Sequence, residues 1–123
     1  VIALINVERA ARGLGQLAQQ SQLTAAAQAH STDMACNNFF SHTGSDGSSP
    51  FDRMTRQGYR FSAAAENIAA GYGSPQDVVN GWMNSEGHRD NILNPTYVHI
   101  GVGYVNNPDS QYGNYWTATF GAP

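Results

Sequence analysis

Apolar residues recur at helical spacing over the first part of the chain and in strict alternation near its end. Val1, Leu4, Ile5 and Glu8 share one side of a helix predicted over residues 1–12, and Val7 and Ala11 widen its apolar stripe. Gly13 and Gly15 suit its end, and Leu14 and Leu17 suit a loop pinned back to the core. Ser21 is a candidate cap for a second helix, with Leu23, Ala26, Ala27, His30 and Met34 recurring at spacings of three and four. Asn37 and Asn38 can terminate it, with Phe39 and Phe40 burying the exit and holding His42 more firmly than an ordinary loop residue. Residues 43–49 have the Gly/Ser composition of a surface loop. Ser49-Pro50 then reads as a cap and first-turn proline for a short helix through Gln57, with Phe51 and Met54 inward and Asp52 paired to Arg56 outside.

Residues 63–70 are harder to assign: the alanines permit helix, but the segment is short and ends at Gly71-Tyr72-Gly73. Ser74-Pro75 is a stronger start signal, for a helix with Val78, Val79, Trp82 and Met83 on its apolar side. Gly81 weakens that helix by up to about 1 kcal/mol relative to alanine, and close approach of another element is a physical reason to tolerate it. From His99 to Val105 the pattern becomes that of a strand, with Ile100, Val102 and Tyr104 opposite Gly101, Gly103 and Val105. Residues 115–120 repeat it, with Trp116, Ala118 and Phe120 opposite Tyr115, Thr117 and Thr119. Two antiparallel strands alone are marginal, so a third is expected from Tyr59-Arg60-Phe61 or nearby. Helices packed on a small antiparallel sheet, an α+β fold, satisfy this pattern.

Length and composition narrow the picture. The 123 residues fit one domain, residues 1–123. All six basic residues are arginine, and the net charge of −3 gives no footprint for nucleic acid. No apolar stretch approaches the roughly 20 residues that span a bilayer. The single cysteine, Cys36, excludes an intramolecular disulfide, and its neighbours Met34, Ala35 and Phe39 suit a buried thiol.

Polar chemistry is densest from Glu66-Asn67 to His88. Glu66 sits among Ala65, Ile68 and Ala69, where a buried carboxylate needs good donors. If His42, Glu66 and His88 face one hollow, they offer a site for Zn²⁺, an acid–base pair, or a buried hydrogen-bond network. Ser85, Glu86 and His88 lack the setting of a nucleophile elbow, and Arg89 is expected in a structural ion pair. Tyr72, Trp82, Tyr97, Tyr104, Tyr112, Tyr115 and Trp116 suit either a core and its rim or a groove for peptide or glycan.

Several of these stretches resemble one known family. Phe39-Phe40-Ser41-His42, Ala65-Glu66-Asn67-Ile68-Ala69, Trp82-Met83-Asn84-Ser85, Gly87-His88-Arg89, Gly101-Val102-Gly103-Tyr104 and Tyr115-Trp116-Thr117 resemble the bacterial, SCP-like branch of the CAP superfamily. That superfamily includes cysteine-rich secretory proteins, antigen 5 and plant pathogenesis-related proteins of class 1. The resemblance implies a three-layer α-β-α sandwich in a secreted or cell-surface protein, expected here as a monomer. It implies a cleft in which His42, Glu66 and His88 are the candidate catalytic groups. His42 and His88 are the candidate ligands of Zn or Mg, with Asn67, Ser85 and Glu86 at the rim. The family's second acid falls on Ser85, so this chain departs from the four-residue pattern. The resemblance leaves a protein, lipid or glycan ligand open. It also leaves open sterol binding, and a metal- or histidine-dependent hydrolase acting on peptide or cell-wall substrates.

Overall fold

The computed structural model describes residues 1–123. Five helices and four strands follow in the order α1 (Ile2–Ala10), β1 (Ala18–Gln19), α2 (Ser21–Asn37), α3 (Pro50–Arg56), β2 (Ala63–Ala70), α4 (Pro75–Met83), α5 (Glu86–Ile92), β3 (His99–Asn106) and β4 (Asn114–Ala122). The strands lie in the order β1-β3-β4-β2. Both long neighbours of β4 run antiparallel to it, and the two-residue β1 joins β3 in parallel.

Alternation along the strands separates two apolar layers. Ile100, Trp116, Ala118 and Phe120 face α1, α4 and α5, where they pack with Ile5, Val78, Val79, Trp82 and Ile92. Tyr115 and Ile68 face α2, where they meet Met34 and Ala35. Further along α2, Leu23 and Ala26 pack with Met54 of α3 and with Tyr59. The result is the expected three-layer sandwich. Gly101 and Gly103 let α2 approach: a Cβ on Gly103 would lie 2.5 Å from backbone atoms of Ala27 and Gln28. Gly81 is likewise a close approach, since its missing Cβ would lie 2.5 Å from the Tyr72 hydroxyl.

Several expectations are corrected. The third long strand is Ala63–Ala70, just beyond Tyr59-Arg60-Phe61; eight paired backbone positions on β4 outweigh the weak strand preference of its alanines. Gln20, not Ser21, caps α2, its side chain accepting from the Leu23 amide. At α1, Val1, Leu4 and Ile5 pack on the core as expected and Arg9 joins them, but Val7 is 64% exposed. Met54 is buried, but Phe51 is 47% exposed, tilted against Phe61. Asp52 serves the Ser49 capping box, and Arg56 pairs with Asp46 instead at 2.7 Å. Cys36 is exposed, because it lies about 100° around the helix from the buried Ala35. Arg89 donates to the Met83 carbonyl at 3.3 Å rather than to an acid.

Candidate functional site

The site straddles β2, the last strand of the sheet. Strand alternation sends the side chains of adjacent residues to opposite faces, so Glu66 and Asn67 serve different sides of one edge. Glu66 turns toward α3, where its side chain is only 1% exposed. Its Oε2 accepts from Arg53 Nη2 at 2.9 Å and its Oε1 lies 2.8 Å from His42 Nδ1. A carboxylate oxygen accepts, so His42 Nδ1 is the donor and its Nε2 is left free. Arg53 also donates through Nη2 to the His42 carbonyl at 2.8 Å and through Nη1 to the Ser48 carbonyl at 2.9 Å. One guanidinium thus fixes the carboxylate and the backbone of the histidine that the carboxylate orients.

On the other side Asn67 is fully buried. Its amide donates to the His88 carbonyl at 3.1 Å and its oxygen accepts from Asn91 at 2.8 Å. Asn67 therefore holds α5 from beneath and is not a rim residue. His88 Nδ1 lies 3.0 Å from Ser85 Oγ. Burial, then the neighbouring His42, pushes the His88 imidazole below its ordinary pKa. His88 borders the hollow described below, whereas His42 and Glu66 do not. Glu86 is exposed on the first turn of α5 and does not border the hollow.

The hollow is a cavity of about 300 Å³ with Ser85 and His88 as its polar residues. Its walls are Phe40, Ile68, Ala69, Ala70, Tyr72, Gly81, Trp82 and Tyr112. Phe40, Tyr72 and Tyr112 are partly open to solvent, and Trp82 is anchored by its Nε1 donating to the Ile68 carbonyl at 3.1 Å. Phe40, expected to bury the helix exit, instead meets Tyr112 edge-on at the cavity mouth. Of the other expected aromatics, Tyr97 and Tyr115 are core residues.

A divalent cation fits these side chains poorly. No three His, Cys, Asp or Glu side chains gather into a cation site. Glu66 has both oxygens engaged, one of them by a guanidinium. The free donors reduce to two imidazoles, fewer than the three protein ligands usual for Zn²⁺.

Tyr72, Trp82 and Tyr112 of the wall are among the aromatics that suggest a groove in the sequence, whereas Arg53 and the wall residues Ile68, Ala69, Ala70 and Gly81 are not foreseen there. A signal for Arg53 existed. A carboxylate in an alanine-rich run requires a cationic partner when buried, and Arg53 adjoins the core residue Met54.

Comparison with known proteins agrees with this architecture. Residues 2–120 match the CAP model, described as the cysteine-rich secretory protein family. The Bacillus subtilis protein YkwD is 47% identical over 120 residues, covering 98% of this chain and 45% of its own length. An extracellular protein containing a SCP domain from Bacillus anthracis superposes with a TM-score of 0.88 at 36% identity, over 99% of this chain and 39% of that one. An outer surface protein of Borrelia burgdorferi shares the fold at a TM-score of 0.86 and 24% identity, over 98% of this chain and 87% of its own. The chain thus spans less than half the length of the two Bacillus proteins. With that match over residues 2–120 and the sandwich in place, the chain belongs to the cysteine-rich secretory protein family, CAP.

Proposed function

We propose that this chain is the ligand-binding domain of a secreted or surface-exposed protein, and that the hollow between β2, α4 and α5 is where the ligand sits. The cavity of about 300 Å³, apolar along its walls and polar at Ser85 and His88, carries the reading. Such a shape suits a ligand with a compact apolar body and one polar end. His88 serves recognition here, since Ser85 orients it without forming a nucleophile–base–acid series. Two similar proteins, one extracellular and one on an outer surface, support the location. No helix is long and apolar enough to cross a membrane.

Trp82 gives a direct readout, because it lines the hollow. Titration with small amphiphiles is expected to change its fluorescence saturably. Ala70→Phe, which places a ring in the hollow, is expected to abolish that change without lowering the melting temperature by more than a few degrees. A response of equal affinity in wild type and Ala70→Phe would put the ligand elsewhere.

A further inference from the structure

We propose that the polar end of this hollow takes the carboxylate of a small apolar acid, held by His88 and Ser85, and not a divalent cation. The proposal rests on the groove reading above and names the head group.

The argument is one of charge. Glu66, the only carboxylate bonded to either histidine, has one oxygen on His42 Nδ1 and the other on the guanidinium of Arg53. Its charge is therefore offset within the protein, and none is left over for a cation.

The hydrogen-bonding capacity points the same way. His88 Nδ1 and Ser85 Oγ share one proton across 3.0 Å. If Ser85 donates, His88 keeps a free Nε2–H; if His88 donates, Ser85 keeps a free O–H. Either arrangement leaves a hydrogen for an acceptor. A charged acceptor makes the stronger bond of that kind.

The apolar part follows from the walls. Trp82, Tyr72 and Phe40 offer ring faces and edges to an aryl or short alkyl body. An acid such as 3-phenylpropionate combines both features, and 3-phenylpropan-1-ol is its uncharged counterpart.

Calorimetric titration of the full chain with these two compounds and with ZnCl₂ tests the proposal. The acid is expected to bind saturably and about ten-fold tighter than the alcohol, the scale of one charge-assisted hydrogen bond. His88→Ala is expected to erase that preference, and Ser85→Ala, which leaves the imidazole in place, to reduce it. Equal affinities for acid and alcohol would overturn the carboxylate assignment while leaving the groove reading intact. Binding of neither compound would overturn both. Saturable Zn²⁺ binding that disappears in His42→Ala and His88→Ala would overturn the preference for an anion.

Discussion

Arg53 Nη2 lies 2.9 Å from Glu66 Oε2, and both side chains are more than nine-tenths buried. The same carboxylate holds His42 through its other oxygen, so the position of an exposed imidazole depends on a pair sealed beneath it. Removing one partner of a buried ion pair leaves the other uncompensated, a loss of about 3 to 5 kcal/mol. Arg53→Met is therefore expected to destabilise the fold by about 3 kcal/mol or more. Glu66→Gln should cost less, because an amide oxygen can still accept from one neighbour. Urea unfolding of both variants checks the ranking. If Arg53→Met unfolds at the wild-type midpoint, the pair does not hold the site.

Arg9 is 2% exposed and has no acidic partner. Its guanidinium is solvated by carbonyls instead: Nε by Gly15 at 2.7 Å, Nη1 by Ile92 at 2.8 Å and Asn94 at 2.9 Å, and Nη2 by Tyr97 at 3.3 Å. These bonds tie the end of α1 to the end of α5 and to the turn before β3. Arg9→Met keeps the stem packing but strips several buried acceptors of their donor, at about 1 to 3 kcal/mol for each that stays dry. Allowing for relaxation, a net loss of about 3 to 4 kcal/mol is expected. Arg9→Lys should recover only part, because a compact ammonium cannot span the spread of acceptors that the planar fork reaches. Thermal melts of the three proteins decide this ordering.

These two arginines also show where sequence pattern stops being informative. The elements with a clear period could be read directly: α2 from Leu23, Ala26, Ala27, His30 and Met34, all buried, and β3 and β4 from their alternation. Caps at Ser49 and Ser74 were equally plain. β2 was not, because Ala63-Ala64-Ala65 carries no strand preference and its pairing with β4 is a long-range fact. β1 is two residues long and has no period at all. At the site, residue type and order suggested His42, Glu66 and His88, but nothing local joins them. Their relation arises because β2 is an edge strand that puts Glu66 and Asn67 on opposite faces. Arg9 and Arg53 become core residues only when carbonyls and a carboxylate from distant segments converge on them.

Gly103 tests the closeness of α2 to the sheet. Its missing Cβ would lie 2.5 Å from the Ala27 carbonyl carbon and from Gln28 N and Cα. Those atoms belong to the helix backbone and cannot rotate aside. Gly103→Ala must push α2 away from β3, and with it Ser31, which donates to the Gly103 carbonyl at 3.2 Å and bonds Thr117 at 2.7 Å. A destabilisation of about 2 to 3 kcal/mol or more is expected, at the upper end for overpacking. An unchanged denaturation midpoint would mean that the helix is not seated this tightly.

His30 supplies a dependence on pH. It is fully buried, with Nε2 donating to the Ser41 carbonyl at 2.7 Å and Nδ1 left without a partner. Burial lowers its pKa below the ordinary 6.5. Glu66 of β2 raises it and Arg53 of α3 lowers it, while the Ser41 carbonyl and Asp33 of its own helix raise it further, without cancelling the burial. In the unfolded chain the ring takes up a proton as pH falls through about 6.5; in the folded chain it stays neutral to lower pH. The unfolded state thus binds more protons in that window, so stability is complete above pH 6.5 and declines as the pH falls toward the folded value. His88, also lowered, acts in the same direction. His30→Gln keeps a donor for Ser41 but cannot titrate. Its melting temperature is expected to fall less between pH 7 and pH 5 than that of the wild type, with the residual slope due in part to His88. Parallel pH profiles for the two proteins would show that His30 contributes nothing to the acid sensitivity.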